Sequence, residues 1–176
     1  MTRIKALLFG ALAVALTVTP LSAQSLQDEM VRDYNDLESK YVGLAEAVPE
    51  ADYGWRPGEG VRSVSEVYMH IVSANFSFPG IIGVQVPADV PEAWYKNPDS
   101  ITDRATIVKA LHASFDFLRN VVRQTSDEDM LKAAKLFGRQ TNVRAVLLVT
   151  ETHCHEHLGQ SIAYARTRGV VPPWSR

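Results

Sequence analysis

Met30, Tyr34, Leu37, Tyr41, Leu44 and Val48 recur at alternating steps of four and three residues. That spacing lays one seam of large side chains along a helix, and such a seam is stable only when other helices cover it. Ser25 is placed to cap this helix, with Asp28 three residues on, and Pro49 stops it. The same period returns three times. Ser63 and Glu66 spell a capping box, and Val67, His70, Ile71, Ala74 and Phe78 follow on one stripe before Pro79 and Gly80. A third helix opens at Thr102 or Asp103 and runs to about Gln124, with Ile107, Val108, Leu111, Ser114, Phe115, Leu118, Val121 and Val122 on its inner side. The fourth, capped by Thr141, runs from Asn142 to about Arg168 and ends at Gly169 ahead of Pro172 and Pro173. No segment alternates as a strand does. The pattern predicts an all-α four-helix bundle.

The fourth helix carries the chemistry. In TETHCHEHLGQ, Thr150 to Gln160, His153 and His157 lie one turn apart and share a face, a spacing that lets two imidazoles hold one cation. His155 projects about 200° away from His153, on the other side of the helix. Val143, Val146, Thr150, Ser161 and Tyr164 continue the line of the pair, which predicts that both imidazoles point inward, with Leu147, Cys154 and Leu158 at the margin. His70 faces inward from the second helix. Bundles build metal sites from inward side chains of facing helices, and three neutral imidazoles leave coordination positions open, as catalytic sites do. Spacing alone leaves a hydrogen-bonded histidine cluster as the alternative. Glu156, within about 60° of His153, is a candidate proton acceptor whose other fate is an exposed ion pair. Gln160, one turn beyond His157, is a candidate for orienting a ligand or a bound water, or for tying the helix to a neighbour. His112 reads as a surface histidine.

The connections are less regular. Pro49 to Arg62 is rich in proline and glycine, and Tyr53 and Trp55 are expected to tuck against the bundle. Pro79 to Ser100 holds four of the nine prolines and reads as a long loop, either a pocket wall or a segment packed by its own side chains. Ser126 to Asp129 opens a short helical turn, and Leu136 to Gln140 reads as a brief extended or looped link.

Composition narrows the function classes. The 176 residues are 46% hydrophobic and 22% charged, the balance of one globular domain. Arg3 and Lys5 precede an apolar run from Ala6 to Val18, and Leu21-Ser22-Ala23 offers a small-residue cleavage site, so residues 1–23 read as a signal peptide and 24–176 as the domain. The run is short for a membrane span of about 20 residues, so a membrane is expected to be touched only through that segment while it is uncleaved. A periplasmic or secreted location follows as an expectation. Cleavage removes two of 18 basic residues and none of 20 acidic ones, moving the net charge from −2 to −4. An acidic chain without a basic stripe argues against nucleic-acid binding. Cys154 is the one cysteine and reads as a buried small residue.

The stretch PEADYGWRPGEGVRSVSEVYMHIVSAN and, further on, HCHEHLGQSIAYARTRGVVPPWS together resemble the DinB family, the DinB/YfiT-like bundles, over essentially all of residues 24–176. The resemblance implies an up-down-down-up bundle and a divalent cation, zinc, nickel or iron, held by three histidines at the places of His70, His153 and His157. Characterised relatives include thiol-dependent transferases and isomerases, and a cation held by three histidines suits either hydrolysis of a small-molecule substrate by a bound water or S-transfer. A non-catalytic metal-binding or stress-associated bundle is the alternative, and a homodimer is a possible assembly of bundles of this kind. Many relatives have a second histidine where this chain has Glu156. An exported chain would not meet the cytosolic thiol that characterised relatives use.

Overall fold

The computed structural model describes residues 25–175, and the signal peptide expected at residues 1–23 lies outside them. Four long helices make the body: α1 (Leu26–Ala47), α2 (Val64–Ser77), α4 (Arg104–Gln124) and α6 (Val143–Thr167), with single turns at α3 (Ala93–Lys96) and α5 (Asp127–Met130). The local signals act as read. The Ser25 side chain accepts from the Asp28 amide, and the box at Ser63 and Glu66 is complete, Ser63 N donating to Glu66 at 2.8 Å. At the far end Gly169, at φ +78°, donates to Arg166 while Val170 donates to Ala165, a Schellman motif that satisfies the last free carbonyls of α6. No helix among the described residues is long and apolar enough to cross a membrane.

Packing pairs α1 with α4 and α6, and α2 with the same two, so α1 and α2 stand on opposite corners. These two meet through side chains that cross the centre, such as the Tyr41 and Tyr68 rings at 6.4 Å. Cross-links set the directions. Gln27 at the start of α1 bonds to Thr125 beyond the end of α4, and Glu38 meets Arg119, so α1 and α4 are antiparallel. Asp33 reaches His155 and Asp52 reaches Arg168, so α1 and α6 are parallel. Asn75 meets Cys154 and Arg62 meets Tyr164, so α2 and α6 are antiparallel. It follows that α2 and α4 run parallel, and the bundle is up-down-down-up. Parallel neighbours need a connection that travels the length of the bundle, which is why the segment from Pro79 to Ser100 is long. It is less irregular than expected, with a 3₁₀ stretch at Phe78–Ile82, α3, and a second 3₁₀ turn at Pro98–Ser100. It packs against the bundle rather than on itself, with Trp94 inserted into the core, and Ile82 and Val84 edge a surface hollow beside Val121 and Val143.

All six residues of the α1 seam are buried. Phe115 sits between Tyr34 and Tyr41, with ring centroids at 6.3 and 5.8 Å. Two buried hydroxyls are matched to carbonyls, Tyr41 donating to Cys154 O at 2.7 Å and Tyr53 to Ala45 O at 2.6 Å, while that of Tyr34 has no hydrogen-bond partner among the described residues. Asn75, fully buried, joins three helices by donating to Ser114 Oγ and accepting from Cys154 Sγ. Trp55 rests edge-on against Tyr164 at 5.5 Å with the Arg168 guanidinium over its ring, as the expected tucking requires.

Two expectations fail. The link at Leu136 to Gln140 is part of a β-hairpin, β1 (Ala133–Leu136) antiparallel to β2 (Arg139–Asn142), turned by Phe137 and Gly138 at φ +47° and +82°. Thr141 is consequently a strand residue, and Asn142 caps α6 instead, accepting from the Ala145 amide at 3.0 Å. The second failure concerns the face of α6. The expected line through Val143, Val146, Thr150, Ser161 and Tyr164 is buried, but Leu147, Cys154 and Leu158, expected at its margin, are buried as well, and His153 and His157 are only half-buried. Thr150 and Ser161 look like a polar continuation of the histidine stripe, but their hydroxyls bond to carbonyls one turn back, at Val146 and His157.

Candidate metal centre

The capping box of α2 and the polar cap of α6 set the register in which these antiparallel helices meet. Their contact brings His70 against His153 and His157. The Nε2 atoms of His70 and His153 are 3.1 Å apart, and the ring centroids lie 5.0 Å (His70 and His153), 4.7 Å (His70 and His157) and 4.6 Å (His153 and His157) apart. One ligating nitrogen from each ring falls within 4.8 Å of the others. Two nitrogens bound at about 2.1 Å to one tetrahedral cation stand roughly 3.4 Å apart, so the cluster needs only small shifts to share an ion.

Which proton each ring carries follows from the surrounding bonds. The Arg62 carbonyl accepts from Tyr164 Oη at 3.1 Å, so this hydroxyl must itself accept from Gln160 Nε2 at 2.9 Å. That orients the Gln160 amide and turns its oxygen to His157 Nδ1, 2.7 Å away. A carbonyl oxygen only accepts. A neutral His157 ring therefore holds its one proton on Nδ1, which leaves the lone pair on Nε2. A hydrogen bond between His70 and His153 can explain two of the rings, but it leaves the His157 lone pair unmatched. His153 Nδ1 is buried with no hydrogen-bond partner among the described residues.

Charge around the cluster favours neutral rings. Burial, helped by the Arg62 charge and the neighbouring imidazoles, brings His70 down to about 4. Burial and His157 bring His153 to about the same value, with Glu156 pulling weakly the other way. Both therefore stand ready as ligands at neutral pH. The sign for stability follows. A ring titrating at about 6.5 unfolded and about 4 folded binds its proton more tightly in the unfolded chain. The contribution of these two rings to the stability of metal-free protein is complete above pH 6.5 and is lost progressively as the pH falls towards 4. Thermal melts across that window should show a shallower fall in His70→Ala, and an unchanged slope would contradict the assignment.

The remaining residues separate clearly. His155 Nε2 points away to Asp33 Oδ2 at 2.6 Å, and His112 is an exposed partner of Glu38. Cys154 is buried, and burial pushes its thiol far up, which removes it as a nucleophile. Glu156 is exposed and stays outside the cluster. Gln160 does not face open space for a ligand, because both ends of its amide are engaged by His157 and Tyr164. Sequence reasoning missed Tyr164 and Arg62 in this arrangement, since a backbone carbonyl ahead of a cap leaves no mark in residue spacing.

Residues 34–161 match the DinB superfamily. The chain belongs to that superfamily. Three solved DinB-like structures share its fold. A DinB-like protein from Bacillus cereus ATCC 10987 aligns with TM-score 0.68 at 16% identity, over 83% of this chain and 95% of its own. The DinB-like protein YjoA from Bacillus subtilis gives 0.63 at 21%, over 81% and 93%. YfiT from Bacillus subtilis, described as a probable metal-dependent hydrolase with an unusual four-helix bundle topology, gives 0.64 at 15%, over 86% and 94%. No curated protein matches the sequence. The DinB fold places the three histidines of this chain on two helices that are distant in sequence and antiparallel in space.

Proposed function

We propose that this DinB protein is a metal-dependent hydrolase that holds one divalent cation through His70, His153 and His157. The observation that carries the reading is the His157 tautomer, fixed from the Arg62 carbonyl through Tyr164 and Gln160, which aims an unprotonated nitrogen at two further neutral imidazoles. An all-imidazole set suits zinc, nickel or iron. A cation so held supplies a water acidified to a pKa of about 7 and polarises a substrate carbonyl. The chain's own residues do the rest. His70, His153 and His157 would hold the ion, Gln160 holds the His157 ring, and the Arg62 charge favours an anion forming nearby.

The pattern in residues 1–23 supports export, leaving the bundle periplasmic or secreted. Hydrolysis needs only water as second reactant, whereas S-transfer needs a thiol that such a location does not supply and that buried Cys154 cannot replace. The description of YfiT as a probable metal-dependent hydrolase agrees with this choice.

Elemental analysis of natively purified protein should find about one divalent ion per chain, and the loaded form should turn over members of an ester and amide panel that metal-free protein leaves intact. Bound metal with no turnover anywhere on the panel would favour the non-catalytic bundle. Gln160→Leu frees the His157 ring and should weaken metal binding by about 10- to 100-fold, measured by competition with a chelating dye. Unchanged affinity there would remove the tautomer argument.

A further inference from the structure

Phe137 is an expensive residue for its position. It is the first of two residues in the hairpin turn, at φ +47°, where a bulky side chain crowds the backbone and Asn ahead of Gly is preferred. Its ring is 76% exposed, so the core gains little from it. Yet the ring is directed at the centre. It stands edge-on to Phe78 at 6.3 Å, and Phe78 stands edge-on to His153 at 5.3 Å. Phe78 thus bridges the hairpin tip and the cluster. Val149, half-buried, lies one turn before His153 on the same face of α6. Arg62 and Phe78 flank His70 from opposite ends of α2, so the charged and aromatic sides of the centre are separate. Local strain and exposed apolar surface that the fold does not require gather at binding sites.

We infer that Phe78 and Phe137 form a specificity wall beside the three histidines, and that the substrate is a small molecule carrying an aryl or extended acyl group next to the bond that is cleaved. The apolar group lies along the two phenylalanine rings while its carbonyl reaches the cation. This inference rests on the metal reading above.

The test uses zinc-loaded protein and two hydroxamates that differ only in their tail, titrated calorimetrically. 4-Phenylbenzohydroxamate, whose two rings are long enough to lie along both phenylalanines, should bind at least about 10-fold more tightly than acetohydroxamate, the scale expected for covering one ring. In Phe137→Asn the advantage should fall to about threefold or less, while acetohydroxamate binds as before and the melting temperature stays level or rises, since Asn suits the turn. Equal binding of the two probes by the wild type, a preserved advantage in Phe137→Asn, or a clear drop in its melting temperature would each overturn the wall, the last by making the ring a packing element. Protein that holds zinc but shows no tail preference sinks the wall alone. Protein that holds no zinc sinks the metal reading and this inference with it.

Discussion

His157→Ala should abolish stoichiometric metal binding, with an affinity loss above the roughly 10- to 100-fold range that removal of an orienting partner produces. Removing the ring takes away the one nitrogen whose lone pair is assigned by bonds outside the cluster, and it leaves His70 and His153 free to hydrogen-bond to each other, as their 3.1 Å separation allows. The fold should survive. His157 is half-buried at the margin of α6, and the line through Leu147, Cys154 and Leu158 that closes the core is untouched. Helical circular dichroism should therefore match the wild type while elemental analysis reads close to zero. His155→Ala is the control: its ring bonds to Asp33 on α1, and metal content should not change. Metal retained by His157→Ala at wild-type affinity would mean that the ion is not held by these three rings. Unfolding of the metal-free wild type would assign the ion a structural task instead.

Much of this arrangement was legible from periodicity, because a repeat of three and four residues can be read without knowing what the helix packs against. The α1 seam, the box at Ser63 and Glu66, and the stop at Gly169 are of this kind. The pairing of His153 with His157 is as well, since a shared helix face is a local property. Which face lies deepest is not local. Cys154 sits at the centre of the α6 interface because Asn75 and Tyr41 arrive from two other helices to meet it, and nothing in residues 143–167 announces those arrivals. The hairpin escaped notice for a different reason. Its strands, Ala133–Leu136 and Arg139–Asn142, lack the β-branched alternation that signals strands, and its turn puts Phe where Asn is usual. The parallel placement of α2 and α4 explains the proline-rich crossover only once the helix directions are known.

The largest stability effect is expected at Phe115. It is fully buried at the centre of the bundle, against Tyr34 and Tyr41 of α1, and Tyr41 in turn holds the Cys154 carbonyl of α6 at 2.7 Å. Phe115→Ala removes a whole ring from a place where α1 and α4 are tightly pinned, so the space cannot collapse and the loss should be about 3–5 kcal/mol. That is a large share of the roughly 5–15 kcal/mol that holds a domain together, and for a chain of this size it lowers the melting temperature by about 6–20 °C. Denaturant titration should show a lower midpoint with an unchanged slope, the sign of a weaker but similarly compact native state. If the histidine cluster binds its cation only in the folded bundle, zinc at about 1,000 times its dissociation constant should return about 4 kcal/mol to the variant, close to the whole loss. The same zinc should do nothing for the Phe115→Ala, His157→Ala double variant. A loss under about 1 kcal/mol would mean that this layer is loosely filled and closes around the missing ring.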